Sequence, residues 1–463
     1  MDSKFSSILQ LSNLDDFITP SQECIKPVEI KKEATRTGSK IKIEDDGSYV
    51  EITATGDKNK LSRVDISLAD CLACSGCITT AESVLINQQS HDELLRVFKN
   101  RREENLKLIV VSFALQPILS IATECGLKPE ICLQKLAGLF KRLGADLVLE
   151  MTIADDFALV EEQREFLNRY QRFVEGEKTA LPMLASTCPG WVCYAEKTKG
   201  HLLPNLSTCR SPQQIMGRLV KDKFSKEKNI TPSEIYHVTL MPCYDKKLEA
   251  SRTQFNVEGS RDVDCVITPV EMMLLMQDEC IDGSLNNEQN GDIDWPWKPI
   301  QPYRSLCRVE GTGSGGYAHH ILAHARKALF NFNGDVPFET VTRKSDILLA
   351  KHEENGKSLK VAIVTGFRNI QNVVNKMKRG TCDYDYIEIM ACPSGCLNGG
   401  AQVKGHLKQL EQIHSELPTR NVEELHEMYS SWLDGFNTDK ANLFLHTTFE
   451  PVTYNPNPLS IKW

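Results

Sequence analysis

From residue 105 onward, apolar runs alternate with amphipathic stretches, and that alternation predicts the fold. LKLIVVSF (106–113) is a β-branched apolar run, followed by PILSIATECGL with apolar residues at helical spacing. PEICLQKLAGLFKRLG (129–144) repeats the helical spacing and stops on a glycine, a common helix end. ADLVLEM (145–151) reads as a buried strand and DDFALVEEQREFLNRYQRF as an amphipathic helix. The series continues through LPMLAS (181–186), IYHVTLM (235–241) and VDCVIT (263–268) with the helix PVEMMLLMQDE. It closes with LKVAIVT (359–365), a helix after Phe367, and YDYIEIM (384–390). Continuous apolar strands separated by helices predict an α/β body of mostly parallel sheets, covered on both faces.

The flanks read differently. Lys26 to Lys60 is polar and mixed in charge, a linker or a small hairpin around Asp46-Gly47 with KIKIE and YVEIT as strands. Residues 281–302 are rich in Asn, Asp, Gly and Pro and form a loop. LEQIHSELPTRNVEELHEMYSSWL reads as helical and NLFLHTTFEPVTYNPNPLSIKW as an extended tail. Three regions follow: a cysteine-bearing segment with a polar linker (1–104), the α/β body (105–405), and a helical region with a tail ending in Trp463 (406–463).

Composition narrows the function. Across 463 residues, 54 basic side chains face 62 acidic ones, for a net charge of −8. That balance argues against a nucleic-acid footprint, whose surfaces are usually basic. Residues 1–20 show no basic stretch followed by an apolar one, so no secretory signal is expected. No apolar run approaches the roughly 18 residues a membrane span needs. The expected compartment is the cytosol or nucleus, where thiols stay reduced. Sixteen cysteines there point to metal or catalysis before disulfides.

Two cysteine groups carry the chemistry. Cys71, Cys74 and Cys77 follow C-x2-C-x2-C, and soft thiolates at that spacing suit an iron–sulfur cluster, zinc or Cu(I), the alternative being three clustered thiols with no metal. The run resembles the first three ligands of a bacterial ferredoxin motif, but Ala81 stands at the fourth position. Cys24, at the end of the preceding segment, is the natural fourth ligand. The second group lies past strand ends in the body: Cys188 in Thr-Cys-Pro-Gly-Trp, Cys243 in Met-Pro-Cys-Tyr-Asp-Lys-Lys, and Cys392 and Cys396 in Ala-Cys-Pro-Ser-Gly-Cys. Sites in open α/β sheets form outside the carboxyl ends of strands, so a shared site is geometrically reasonable. Adjacent prolines stiffen the turns, while Gly395, Gly399 and Gly400 let backbone approach an inorganic group.

These three motifs, Thr187 to Trp191, Met241 to Lys247 and Met390 to Cys396, resemble the signatures of iron-only hydrogenases, in order, between about residues 60 and 405. With the N-terminal cysteines and the terminal tryptophan, the chain is still more similar to the eukaryotic branch of narf-like cytosolic iron–sulfur assembly factors. The resemblance implies a hydrogenase-like body with a small ferredoxin-like Fe–S segment. It implies two 4Fe–4S clusters, one on Cys24, Cys71, Cys74 and Cys77, the other on Cys188, Cys243, Cys392 and Cys396. It further implies delivery of clusters to cytosolic and nuclear apoproteins, between an upstream scaffold and a targeting complex with a WD40-propeller subunit.

Against an enzyme, Thr187 stands where hydrogenases carry a proton-relaying cysteine, and a hydroxyl is a poor relay near neutral pH. Lys246 is retained where hydrogenases contact the diiron group, so an active hydrogenase stays as the alternative, and a zinc-stabilised scaffold as the second. Ser394, where hydrogenases often have glycine, is expected to narrow the space near Cys392. The N-terminal ligands suffice for one cluster, too few for a long electron-transfer wire.

Weaker signals are discounted. Gly311 to Gly316 matches G-x-G-x-x-G but follows a poor strand, so a glycine turn bringing a helix N-terminus near the cluster is expected instead of nucleotide binding. His319, His320 and His324 read as surface or packing residues, and cysteines 125, 132, 193, 209, 265, 280, 307 and 382 mostly as core. The tail offers Trp463 as a peptide anchor. By the resemblance, clients of the targeting complex end in an apolar, then an acidic or serine, then an aromatic residue; Lys462 makes the match partial, and the tail's alternative is to pack back on the body.

Overall fold

The computed structural model describes residues 40–43, 49–52, 58–60, 80–297, 306–334, 336–341, 347–354, 356–420, 422 and 425–452. The chain divides into two compact units, residues 11–83 with 458–463, and the remainder up to 457. The smaller contains an antiparallel sheet of β1 (Lys40–Ile43), β2 (Tyr49–Ile52) and β3 (Lys58–Lys60). Lys40 pairs with Ile52 and Ile43 with Tyr49, which is the hairpin read from KIKIE and YVEIT. Its third strand, β3, carried no sequence signal.

The larger unit has two main sheets. The first is wholly parallel, with β4 (Leu108–Phe113), β5 (Leu147–Glu150), β7 (Ile235–Leu240) and β10 (Cys265–Ile267) in the order β10-β7-β4-β5. The second is β11 (Glu339–Thr340), β12 (Ile347–Glu354), β13 (Lys357–Thr365), β14 (Tyr386–Met390) and β6 (Met183–Leu184), in that order. Here β13, β14 and β6 run parallel, while β11 and β12 form an antiparallel edge. Two short strands, β8 (Asn256–Val257) and β9 (Ser260–Arg261), make a separate hairpin.

Local sequence explains the elements. Helix Pro129–Leu143 has proline in its first turn, Lys141 and Arg142 in its last, and Gly144 at φ 122° just past its end. β4 is buried at every position, as a central strand covered on both faces must be. The 23-residue helix Thr152–Val174 sits in the larger core with Phe157 and Phe166 fully buried. Helices Leu407–Glu416, His426–Leu433 and Asp439–Leu445 also pack on the body, placing Tyr429, Trp432 and Leu445 in that core. The last helix corrects the extended reading of Asn442 to Leu445: Thr438 caps it, accepting from the Ala441 N–H at 3.0 Å.

On β7 sits His237, fully buried, with Ser112 Oγ of β4 at 2.9 Å and the Asp262 carbonyl at 3.1 Å. Burial holds its imidazole down at about 3. The unfolded chain therefore takes up a proton below about pH 6.5 that the folded chain refuses, and stability falls as pH drops through that window. By pH 5 this one group should cost about 2 kcal/mol. Unfolding midpoints at pH 7 and 5 should show the loss, and His237→Gln should flatten it.

Candidate metal centre

The four strand-end cysteines come together from both sheets. Cys188 follows β6 and caps helix Pro189–Thr198, where Pro189 fits the first turn. Cys243 lies between β7 and helix Asp245–Ala250. Cys392 and Cys396 follow β14, which pairs directly with β6, so three of the thiols leave adjacent parallel strands. All four are half-buried and free. Each is close enough to feel others: Cys243 senses Cys392, Cys188 and Cys396.

Burial is the largest influence on all four and pushes Cys188 up to about 11; Cys243, Cys392 and Cys396 rise as well. For Cys188, Cys243 and Cys392, neighbouring sulfurs add to the rise. Four desolvated thiols cannot all ionise beside one another without a cation, and thiolate is the ligand form. Donors already wait for negative sulfur. The Ala391 N–H points to Cys188 Sγ at 3.4 Å, with further backbone N–H groups from Trp191 to Cys188 and from Gly400 to Cys392. Such N–H···S contacts support cluster thiolates and raise their reduction potential.

Among the described residues, no three His, Cys, Asp or Glu side chains gather closely enough to hold a single ion. Four soft sulfur donors brought to one site are the donor type that iron–sulfur clusters use.

Glycines hold the cradle tight. Gly395 has φ 75°, and a Cβ there would lie 2.4 Å from Ser314 Oγ. A Cβ on Gly399 would lie 2.3 Å from the Pro242 carbonyl, beside Cys243. Gly399→Ala should therefore prise the Cys243 turn from the Cys396 turn, costing about 1–3 kcal/mol. Lower iron content and a lower unfolding midpoint in the purified variant would register it.

The glycine turn at 311–316 belongs to this site. Ser314 Oγ accepts the Cys396 N–H at 2.8 Å, and Gly313 accepts from Gln116 Nε2 at 2.9 Å. Glu388, buried on β14, fixes the turn by accepting from Thr312 Oγ1 at 2.7 Å and Ala318 N–H at 2.8 Å. The turn thus leads helix Tyr317–Phe330 toward the thiols, as expected, with its polar groups spent inside the protein. Ser394, by contrast, is exposed at φ 60°, and crowding near the thiols comes from Ser314 against Gly395.

Beside Cys188 and Cys396 lies a cavity of about 80 Å³, lined also by Thr187, Lys246, Asp155 and Arg420. At about 30 Å³ per water it holds two or three waters. Lys246 is engaged, 2.6 Å from Glu249 and 3.2 Å from the Thr187 carbonyl. Arg420 pairs with Asp156 at 2.8 Å, and burial raises the Asp155 carboxyl to about 7 despite that guanidinium.

Ser314, Glu388, Glu249 and Arg420 were not singled out from sequence. Glu388 had a signal, a lone acid inside the apolar strand YIEIM. Arg420 had none, since its place depends on how the C-terminal region packs. Of the remaining cysteines, 132, 209, 265, 280 and 307 are buried and 125, 193 and 382 half-buried. Cys24, Cys71, Cys74, Cys77 and Trp463 lie outside the described residues.

Residues 107–400 match the family described as iron only hydrogenase large subunit, C-terminal domain. Over the whole of both chains, the sequence is 49% identical to a probable cytosolic Fe–S cluster assembly factor of Anopheles gambiae. It is 50% identical to one of Culex quinquefasciatus at the same coverage. An apo FeFe-hydrogenase from Chlamydomonas reinhardtii superposes with TM-score 0.68 at 27% identity, covering 78% of this chain and 99% of that one.

Proposed function

This chain belongs to the narf-like, iron-only-hydrogenase-like family of cytosolic Fe–S cluster assembly factors, and on that premise we propose that it carries two 4Fe–4S clusters and hands clusters on to apoproteins. Its place in cytosolic iron–sulfur assembly, rather than in hydrogen chemistry, follows from full-length relatives that bear that role, the hydrogenase likeness being more distant. The observation that supports a cluster in the body is the convergence of Cys188, Cys243, Cys392 and Cys396, with their N–H donors, on one half-buried site. The second cluster rests on Cys24, Cys71, Cys74 and Cys77 by sequence.

The small cavity beside Cys396 supports a non-enzymatic role. Thr187 offers no thiol there, and Lys246 is held by Glu249 instead of projecting a free ammonium. Anaerobically purified protein should contain about eight iron atoms and as many sulfides, show the EPR of reduced clusters, and evolve no hydrogen. Carbonyl and cyanide infrared bands with hydrogen evolution would overturn the carrier reading, and stoichiometric zinc would favour the scaffold.

The partners we propose are an upstream scaffold that supplies clusters, apo Fe–S clients in the cytosol and nucleus, and a targeting complex engaged through its WD40-propeller subunit. Trp463 is the anchor for that subunit. Deleting Trp463 should weaken capture of the propeller subunit by about 30-fold or more, the usual consequence of truncating an aromatic hot spot. Iron content should not change. Full binding after deletion would remove the tail from the interface.

No helix among the described residues is long and apolar enough to cross a membrane.

A further inference from the structure

We infer that Gln89 is a positioning residue for Cys243, a latch on the helix that follows this cysteine, and the role rests on the cluster proposed for the body. Cys188, Cys392 and Cys396 follow neighbouring strands of the second sheet, whereas Cys243 follows β7 of the first. The fourth ligand must therefore be held in register with the other three by contacts of its own. Helix Asp245–Ala250, which carries the chain on from Cys243, has six residues. A helix that short does not persist on its own hydrogen bonds, so its place is set by what grips it.

Gln89 grips it twice over. It is buried, while Asn87 and Gln88 before it are exposed. Its Nε2 donates to the Lys247 carbonyl at 3.0 Å and to Ser251 Oγ at 2.9 Å. Its Oε1 accepts the Val266 N–H at 3.2 Å. Val266 lies on β10, an edge strand of its sheet, and the glutamine stands where a further strand would have offered an acceptor. The Gln89 carbonyl accepts from Lys247 Nζ, a buried ammonium that also pairs with Glu271. Glu271 in turn accepts the Thr268 N–H at 3.0 Å and Thr268 Oγ1 at 2.7 Å. One residue thus ties the Cys243 helix to β10 and, through Lys247, to the start of helix Pro269–Glu279. In sequence, helix Thr80–Asn87 stands between Cys77 and Gln89, so the latch follows closely on the N-terminal cysteines in the chain.

Gln89→Leu keeps the bulk, cuts both side-chain ties to the helix and leaves the buried Val266 N–H without this acceptor. The helix should then open locally and expose Cys243. Full-length protein, purified anaerobically, would be alkylated with iodoacetamide and each cysteine followed by mass spectrometry. Cys243 should react on the order of tenfold faster than in the unaltered chain. Cys132 and Cys209, both buried, are internal standards, since a merely structural loss would speed all three alike. Ser251→Ala, which removes one of the two ties, should speed Cys243 by less and serves should Gln89→Leu not fold. Iron release from the body site to a ferrous chelator should quicken in the same order. A Cys243 rate unchanged, or raised no more than those of Cys132 and Cys209, overturns the inference, as does unchanged iron release from loaded protein. The alkylation ratio reports on Gln89 whether or not clusters load, and iron content reports on the cluster reading, so the two failures are separable.

Discussion

Cys188→Ser is expected to cut bound iron from about eight atoms per chain to about four. Serine keeps the size of the side chain but replaces a soft, ionisable sulfur with an oxygen that stays protonated at neutral pH, so one corner of the site loses its ligand. The remaining thiols cannot compensate, because Cys243, Cys392 and Cys396 already take the other three corners of the proposed site. Stability should fall with the iron, since free energy of metal binding is also free energy of folding. The bystander Cys125, half-buried at the end of helix Leu115–Glu124, supplies the control: Cys125→Ser should keep all its iron. Iron and sulfide per chain, with EPR of the reduced protein, measure both. Retention of eight irons by Cys188→Ser, or their loss from Cys125→Ser, would break the division of sixteen cysteines into ligands and bystanders.

The strand-end grouping of Cys188, Cys243, Cys392 and Cys396 is legible in the sequence because its signal is local chemistry. Each strand-end thiol sits in its own short Pro/Gly turn, and turn chemistry is written in neighbouring residues. Strand order is not written there. β6 and β14 are hydrogen-bonded neighbours, Tyr386 opposite Met183, yet lie some two hundred residues apart in sequence. Nothing in LPMLAS announces its partner, and the strand shrinks to Met183–Leu184. The antiparallel strand β12, next to the edge, was missed although its signal was present. Asn355-Gly356 is a favoured hairpin dipeptide, and β12 turns there into β13, with Glu354 opposite Lys357 and Gly356 at φ 75°. The run ILLAKHEE hid it, because its exposed charges break the apolar continuity that marked the central strands. Glu388 escaped for a related reason: a buried acid is costly unless paired, and its partners, Thr312 and Ala318, belong to a turn some seventy residues earlier.

The two proposed cluster sites should differ sharply in lability, and Cys24→Ala together with chelation tests it. The strand-end ligands project from turns fixed by β6, β7 and β14, so releasing iron there means deforming both sheets' ends. At the N-terminal site, Cys71, Cys74 and Cys77 are a local unit, but 46 residues separate Cys24 from Cys71. Closing a loop of that length costs roughly 3 kcal/mol of chain entropy, which the Cys24–iron bond must offset. A ligand held at that cost leaves first. Under a ferrous chelator, iron release should be biphasic, with about half lost at least tenfold faster than the rest. Cys24→Ala should remove the fast phase by emptying that site during purification, leaving the slow phase unchanged. Combined with Cys188→Ser it should leave almost no iron, because the two sites share no ligand and their losses should add. Fast release that survives Cys24→Ala and vanishes in Cys188→Ser would invert the assignment, making the strand-end cluster the transferable one.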